Sequence, residues 1–267
     1  MRFRFRGGRC AVALATLLAA AARGGEDPDT LLQRIKAHMS EHLTHLPNYT
    51  CRQTVQRYMR DGGSLRHLDS LEFDVVFSGK RELFARAGTD RFDEDGISKQ
   101  VAWGTIGNGA LGSHIDLLLS QEEAEFKYAG TGKKDGRKAL RFDLHVPIEK
   151  SHFLVRHNGT QGIAGYDGSL WVDPDTYDPV RVDFKVNRIP SHIGVHLIEE
   201  SLHYRKLTIG NSEFDLPDRS ELAATDQAGT YTVNMMKLEN CREFTADSVV
   251  QYSTPSQGSA AREQQDH

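Results

Sequence analysis

The sequence predicts a mainly β (α+β) protein, in which a large curved antiparallel sheet forms an unclosed barrel covered by an N-terminal helix and a second short helix. From Phe126 to Val250, short segments of alternating apolar and polar residues are separated by Gly, Asn, Asp and Pro turns. This pattern is typical of strands that follow one another as hairpins. Half of the alternating positions are polar, so one face of the sheet meets solvent and the apolar face needs a cover.

Two segments can supply that cover. Asp27 to Leu46 is predicted to be a helix that Pro47 ends, because its apolar residues recur at steps of three and four. These residues are Leu32, Ile35, Met39, Leu43 and Leu46. A shorter helix is expected at 111–119, after the glycine-rich GTIGNGALG segment, which matches no phosphate-binding fingerprint. Two short helices leave part of a wide concave face uncovered, so we expect an apolar groove there.

The N-terminus predicts export. Met1 to Arg9 carries arginines without acidic residues, and Cys10 to Ala22 is almost wholly apolar, which is typical of a secretory signal peptide over residues 1–22. The apolar stretch is shorter than the roughly 17–25 residues that span a bilayer, and an uncleaved anchor is the alternative. Residues 27–252 are then a single curved-sheet domain in a periplasmic or extracellular protein. The polar segment 253–267 is expected to be a disordered tail.

The cysteines agree with an oxidising compartment. Cys10 lies inside the predicted signal peptide, which leaves Cys51 and Cys241 as one pair in the mature chain. Two cysteines in an exported protein have one possible connectivity. A bridge closing so long a loop is expected to stabilise the fold by about 4–5 kcal/mol. Two free thiols are the alternative.

Charge and hydropathy argue against nucleic-acid binding and against a membrane-spanning segment. The formal charge of the chain is −4, and removal of the signal peptide takes away arginines but no acidic residue. A mildly acidic domain without a basic stripe is not expected to bind nucleic acid. No later segment reaches transmembrane length, so we expect the mature chain not to span a membrane.

One hairpin carries a resemblance to a known family. Leu170 to Arg181, LWVDPDTYDPVR, is a strand, a tight turn and a return strand, and it resembles the central hairpin of the LolA/LolB-like superfamily of periplasmic lipoprotein carriers. The order of signal peptide, helix and long meander is similar too. In that superfamily an unclosed barrel accepts acyl chains, so the resemblance implies a hydrophobic ligand. The chain, with LPNYTC opening its first strand, also looks like exported proteins of acidobacterial type.

Histidines on the first helix raise the question of a metal site. His38, His42 and His45 are spaced to lie on one helix face, and two imidazoles one turn apart can share zinc or copper. Half-exposed polar residues are normal beside an apolar stripe, however, and Glu41 is misplaced for an HExxH motif. The sequence therefore favours no metal and no cofactor.

No catalytic arrangement is recognisable. The acidic residues of 93–95 and 122–123 are clustered as on a solvated loop, and no GxSxG nucleophile motif occurs. We therefore expect a protein that is not an enzyme and that binds a lipid or another hydrophobic small molecule. Its ligand-binding residues are predicted on the apolar sheet face, although a residue such as Trp171 in an alternating strand is more often ordinary core. The candidates are Phe142, Leu144, Trp171, Val182 and Phe184.

Two other hypotheses stay open at this stage. The first is a structural or sensory envelope domain with the same fold and a filled core, for which another envelope protein is the candidate partner. The second is a hydrolase, which would need polar groups converging in a cleft. A large apolar cavity would favour a carrier, whereas a fully packed interior would favour a structural domain.

Overall fold

A computed structural model describes residues 27–60, 62–79, 81–89, 92, 97, 101, 105–107, 115, 118–119 and 124–244. The regular elements are α1 (Pro28–His45), β1 (Tyr49–Arg60), β2 (Arg66–Ser78), β3 (Arg81–Arg86), β4 (Glu125–Lys134), β5 (Arg137–Val146), β6 (Leu154–His157), β7 (Thr160–Ile163), β8 (Gly165–Val172), β9 (Pro179–Arg188), β10 (Val195–Ile209), β11 (Ser212–Asp226) and β12 (Tyr231–Glu243). Short 3-10 turns occupy Ile148–Lys150 and Ser191–Ile193.

The predicted fold class is confirmed. Ten strands form one antiparallel sheet in the order β3-β2-β1-β12-β11-β10-β9-β8-β5-β4, and β6 and β7 form a separate hairpin. β3 and β4 are the two edges and do not pair with each other, so the sheet does not close. Most neighbours in the sheet are also neighbours in sequence, as expected when turns connect successive strands.

Three predictions fall wholly or largely outside the described residues. They are the signal peptide at 1–22, the tail at 253–267 and most of the second helix at 111–119. Within the last segment, Ile115, Leu118 and Leu119 are helical. Ile115 and Leu118 are buried and belong to the main apolar core.

Helix α1 forms where its sequence predicts it. The side chain of Asp27 accepts a hydrogen bond from the Thr30 backbone N–H at 3.0 Å, and Pro28 occupies the first turn. Both features are favourable at a helix N-terminus. Leu46 is extended, as expected for a residue that precedes a proline. The buried side of the helix consists of Leu32, Ile35 and Met39.

The inner face of the sheet carries two apolar clusters. The larger one joins α1 to β5, β8, β9 and β10, and the smaller one lies on β1, β2 and β3 around Tyr49 and Phe73. Alternation along the strands sends the intervening side chains to the opposite face, where ion pairs dominate. The core therefore lies between α1 and one side of a single sheet.

The hairpin between β8 and β9 forms as predicted. The Asp173 carboxylate accepts hydrogen bonds from the backbone N–H groups of Asp175 and Thr176, at 2.9 and 3.2 Å. The backbone of Asp173 also bonds to Tyr177 and Asp178. Tyr177 has a left-handed φ of 64°. This compact turn fixes the position of Asp178 immediately before β9.

The predicted disulfide is present. Cys51 on β1 and Cys241 on the neighbouring strand β12 are bonded, with their Cα atoms 4.1 Å apart. The β1–β12 pairing shifts register between Thr50 and Arg52, beside the bridge. The bond fastens the first strand of the sheet to the last one. Within the described residues, no helix has the length and apolar character needed to cross a bilayer.

Candidate functional site

An apolar cleft lies where the C-terminal half of α1 meets β10 and β11. Its volume is about 30 Å³, which is room for about one or two water molecules. Most of its walls are aliphatic or aromatic, and the polar lining residues are His38, His42 and Asp215. The apolar lining residues are Met39, Leu43, Leu46, Ile115, Pro179, Tyr204, Phe214, Leu216 and Pro217.

Each wall follows from local sequence. Met39 and Leu43 lie four residues apart on α1, so their side chains share the face that the helix turns to the sheet, and Leu46 directly follows the helix in extended backbone. Phe214 and Leu216 are two residues apart on β11, which places both on the inner face of that strand. The apolar spacing in the sequence predicted the α1 wall but not the β11 wall.

The Tyr204 hydroxyl is the unusual polar group of the cleft. Tyr204 is 4% exposed, and within the described part of the chain its hydroxyl oxygen has no hydrogen-bond partner. Burial raises the pKa of this phenol, and the nearby charges of Glu200 and Glu82 raise it further. The group is therefore neutral at physiological pH and retains its proton as a hydrogen-bond donor.

A charged cluster forms the rim of the cleft. The Asp178 carboxylate contacts His38 Nε2 through Oδ1 at 2.8 Å and Lys206 Nζ through Oδ2 at 3.2 Å. Lys206 also contacts Asp215 at 2.9 Å. Burial opposes ionisation of Asp178, but hydrogen bonds from His38, Thr176 and Lys206 lower its pKa overall. The dominant effect on Asp215 is burial, which raises its pKa despite Lys206.

Two of the helix histidines meet a third potential metal ligand at this rim. One ligand atom each from His38, His42 and Asp178 all lie within 4.8 Å of one another. His45, the third histidine of the predicted face, is exposed, and its Nδ1 lies 2.9 Å from the carbonyl oxygen of Glu41. No sequence pattern pointed to Asp178, because 140 positions separate it from His38.

Four of the five predicted ligand-binding residues lie on the apolar inner face. Phe142, Leu144, Val182 and Phe184 are buried in the core cluster that includes α1, but none of them lines the cleft. Their role in ligand binding stays a prediction.

The placement of Trp171 on that face was wrong. Leu170 and Val172 on either side are fully buried, so strand alternation turns Trp171 to the opposite face. There the ring lies against Lys134 and Arg141, whose cationic groups are 4.9 and 5.3 Å from its centroid. Three successive apolar residues, Leu170 to Val172, left the inward positions ambiguous in the sequence.

The opposite face contains a broader polar depression of about 470 Å³. At its centre, Asp183 accepts hydrogen bonds from Arg181 at 2.6 Å and Ser201 at 2.8 Å, and Lys134 lies 2.9 Å away. Burial opposes ionisation of Asp183, yet these partners lower its pKa overall. Its charge is thus neutralised within the protein, and the depression is less suited to an apolar ligand than the cleft.

Three solved structures cover four fifths or more of this chain at low sequence identity. A DUF1329 family protein from Desulfovibrio piger is 13% identical with a TM-score of 0.44, covering 83% of this chain and 95% of that one. A LolA superfamily protein from Nitrosomonas europaea is 11% identical with a TM-score of 0.39, covering 80% and 93%. A putative outer membrane lipoprotein-sorting protein domain from Vibrio parahaemolyticus is 13% identical with a TM-score of 0.39, covering 81% and 92%.

The second of these structures belongs to the superfamily that the hairpin in the sequence resembles. No family model matches the sequence, and no curated protein is significantly similar to it. The acidobacterial affinity stays a prediction. Identities and TM-scores of this size do not transfer a ligand or an activity, so function has to be argued from this chain's own residues.

Proposed function

We propose that this chain is an exported, non-enzymatic binding protein that holds the apolar part of a lipid or another hydrophobic ligand between α1 and the sheet. The observation that carries the proposal is the cleft beneath α1, an apolar hollow lined in part by Tyr204, whose buried hydroxyl has no hydrogen-bond partner among the described residues. Burial of ligand methylenes would drive binding, at about 0.8 kcal/mol for each methylene.

Tyr204 gives the cleft a preference for one end of the ligand. A buried donor without a partner costs about 1–3 kcal/mol. A ligand carboxyl, ester or amide oxygen that accepts from the Tyr204 hydroxyl recovers that cost. The best ligand therefore combines an acyl chain with an oxygen acceptor, which is the chemistry of a fatty acid or an acyl-bearing lipid.

Ligand entry requires α1 to move, because the cleft itself has room for only one or two water molecules. Within the described residues, no backbone hydrogen bond joins α1 to the sheet. Apart from the apolar stripe, the helix is held by side-chain contacts at its edges: His38 with Asp178, Lys36 over Phe126 and Arg34 over Tyr177. If these edge contacts break, the helix can move and a ligand chain can replace its apolar contacts with the sheet.

The small volume also favours a second function, a structural or sensory envelope domain with a filled core. In that case α1 is a permanent part of the core, and the functional surface is one that contacts another envelope protein. The two proposals differ in whether a ligand accompanies the protein.

Native mass spectrometry of protein purified from the host envelope separates the two. We expect the wild-type chain to carry one adduct of lipid mass that collisional activation removes. Leu43→Trp, which adds bulk to the cleft wall, should lose the adduct. Leu65→Trp, at an exposed position between β1 and β2, should keep it. Bare wild-type protein, or an adduct that persists in Leu43→Trp, would contradict the carrier proposal.

A further inference from the structure

We propose that His38, His42 and Asp178 form a zinc-binding site that fastens α1 to the start of β9. The three side chains come from two separate elements and meet at the edge of the helix. The zinc site is inferred from polar atoms alone and does not rest on the apolar ligand, although His38 and His42 also line the cleft.

The two histidines are placed by helix geometry. His38 and His42 are four residues apart on α1, so they lie one turn apart on the same face, and their ring centroids are 4.3 Å apart. Two imidazoles in this arrangement commonly bind one zinc ion. Both are half-buried at the junction with the sheet, where a third ligand is within reach.

The third ligand is held in place by its surroundings. Asp178 ends the compact turn between β8 and β9, and its backbone N–H donates to the Thr176 hydroxyl at 3.3 Å. Lys206 contacts the Oδ2 atom, which leaves Oδ1 directed at His38. Groups that orient a ligating carboxylate in this way are a common part of metal sites.

The separation of His38 and Asp178 suits a tetrahedral ion after a small adjustment, and the ligand atom of His42 lies within 4.8 Å of both. Zinc lies about 2.0–2.2 Å from imidazole nitrogen and carboxylate oxygen, which puts two ligand atoms about 3.3 Å apart. His38 Nε2 and Asp178 Oδ1 are 2.8 Å apart in a direct hydrogen bond. Zinc would replace the shared proton, moving these atoms apart by about half an ångström. The partial exposure of His38 leaves a fourth position for water.

The local charge is compatible with a cation. Lys206 is the lysine that pairs with Asp178, and it is shared between the carboxylates of Asp178 and Asp215. With neutral histidines, these three charged residues sum to one negative charge. A divalent ion bound here would therefore meet a site of opposite sign, while Lys206 limits how tightly it binds.

Zinc titration by isothermal calorimetry, on chain purified without a histidine tag, tests the site. We expect one zinc ion per wild-type molecule. His42→Ala and Asp178→Asn each remove a ligand, so each should weaken binding by more than the roughly 10–100-fold that follows loss of an outer-shell partner. His45→Ala is the matched control, because it removes a histidine of the same helix that does not contact the cluster, and its affinity should equal that of wild type.

Cobalt substitution gives a second readout that needs no variant to fold. Co²⁺ bound to wild-type protein should show the visible absorption of a tetrahedral site with nitrogen and oxygen ligands, and zinc should displace it. Circular dichroism melts without metal establish that the variants are folded. The proposal is overturned if wild type binds neither ion, or if folded His42→Ala and Asp178→Asn bind zinc as tightly as His45→Ala. Lipid content does not enter either readout, so this site and the carrier function fail separately.

Discussion

His38 Nε2 lies 2.8 Å from Asp178 Oδ1, a contact that joins the middle of α1 to the turn before β9. The two residues are 140 positions apart in the chain. Because α1 has no described backbone hydrogen bond to the sheet, this side-chain contact is one of the few polar links that keep the helix in position.

Removal of that link should loosen the helix without unfolding the sheet. In metal-free protein, His38→Ala should speed amide hydrogen exchange across Pro28–His45, since a net hydrogen bond of about 0.5–1.5 kcal/mol is lost. Exchange in β1 and β12 should not change. Gln33→Ala, at an exposed position of α1, is the control and should leave α1 protected as in wild type. Equal exchange of α1 in all three proteins would show that the contact does not hold the helix.

Replacement of Tyr204 by Phe should stabilise the ligand-free protein. The variant keeps the ring in the cleft wall and removes a buried hydroxyl that has no described partner, so up to about 1–3 kcal/mol of desolvation cost is relieved. Urea unfolding of delipidated protein measures the change. Affinity for a fatty acid should fall, because the donor is gone. A destabilised variant would mean that the hydroxyl is hydrogen-bonded in the folded protein.

Loss of the disulfide should be costly. The double variant Cys51→Ala/Cys241→Ala frees a loop of 190 residue steps, and the unfolded chain should gain entropy equivalent to about 4–5 kcal/mol. Urea unfolding should show a lower midpoint, and chemical reduction of wild type should reproduce it. Equal stability of oxidised and reduced wild type would contradict this expectation.

Stability should fall in acid partly through Asp183. Its pKa is lowered in the folded state, so its contribution is complete above the ordinary pKa near 3.9 and is lost as the pH falls toward the lower folded value. Asp183→Asn should therefore destabilise the protein at pH 7, by about 1.5–3 kcal/mol for hydrogen bonds to a charged group.

The penalty of Asp183→Asn should shrink as the pH falls below about 4. Asp175→Asn alters an exposed carboxylate in the β8–β9 turn and serves as the control, with a small effect at both pH values. A penalty for Asp183→Asn that is the same at pH 3 and pH 7 would show that the carboxylate charge does not contribute.

Local patterns predicted most of the fold. The three- and four-residue spacing of Leu32, Ile35 and Met39 identified α1 and its buried side, because helix geometry alone sets which residues share a face. The turn residues after Val172 predicted the β8–β9 hairpin. The disulfide between Cys51 and Cys241 was predicted without knowledge of the sheet order. The predicted signal peptide implies an oxidising compartment, and two cysteines can pair in only one way.

The site was less predictable because it depends on long-range pairing. Asp178 lies beside His38 and His42 only because the sheet places the β8–β9 turn at the edge of α1. No local sequence pattern predicts this long-range contact. Tyr204 is one of several residues of β10 whose side chains face the interior. Its hydroxyl has no described hydrogen-bond partner, and this depends on how the interior is packed. Trp171 was misplaced because its strand has apolar residues on both faces, so alternation could not decide its direction.

Hydrogen exchange measured with and without 11-(dansylamino)undecanoic acid shows whether a ligand binds beneath α1. The probe should show saturable fluorescence on binding, together with altered exchange in α1 and in the cleft strands β10 and β11, while exchange in the β1–β2 hairpin remains unchanged. Absence of saturable binding, or changes confined to elements away from the cleft, would contradict a ligand site beneath the helix.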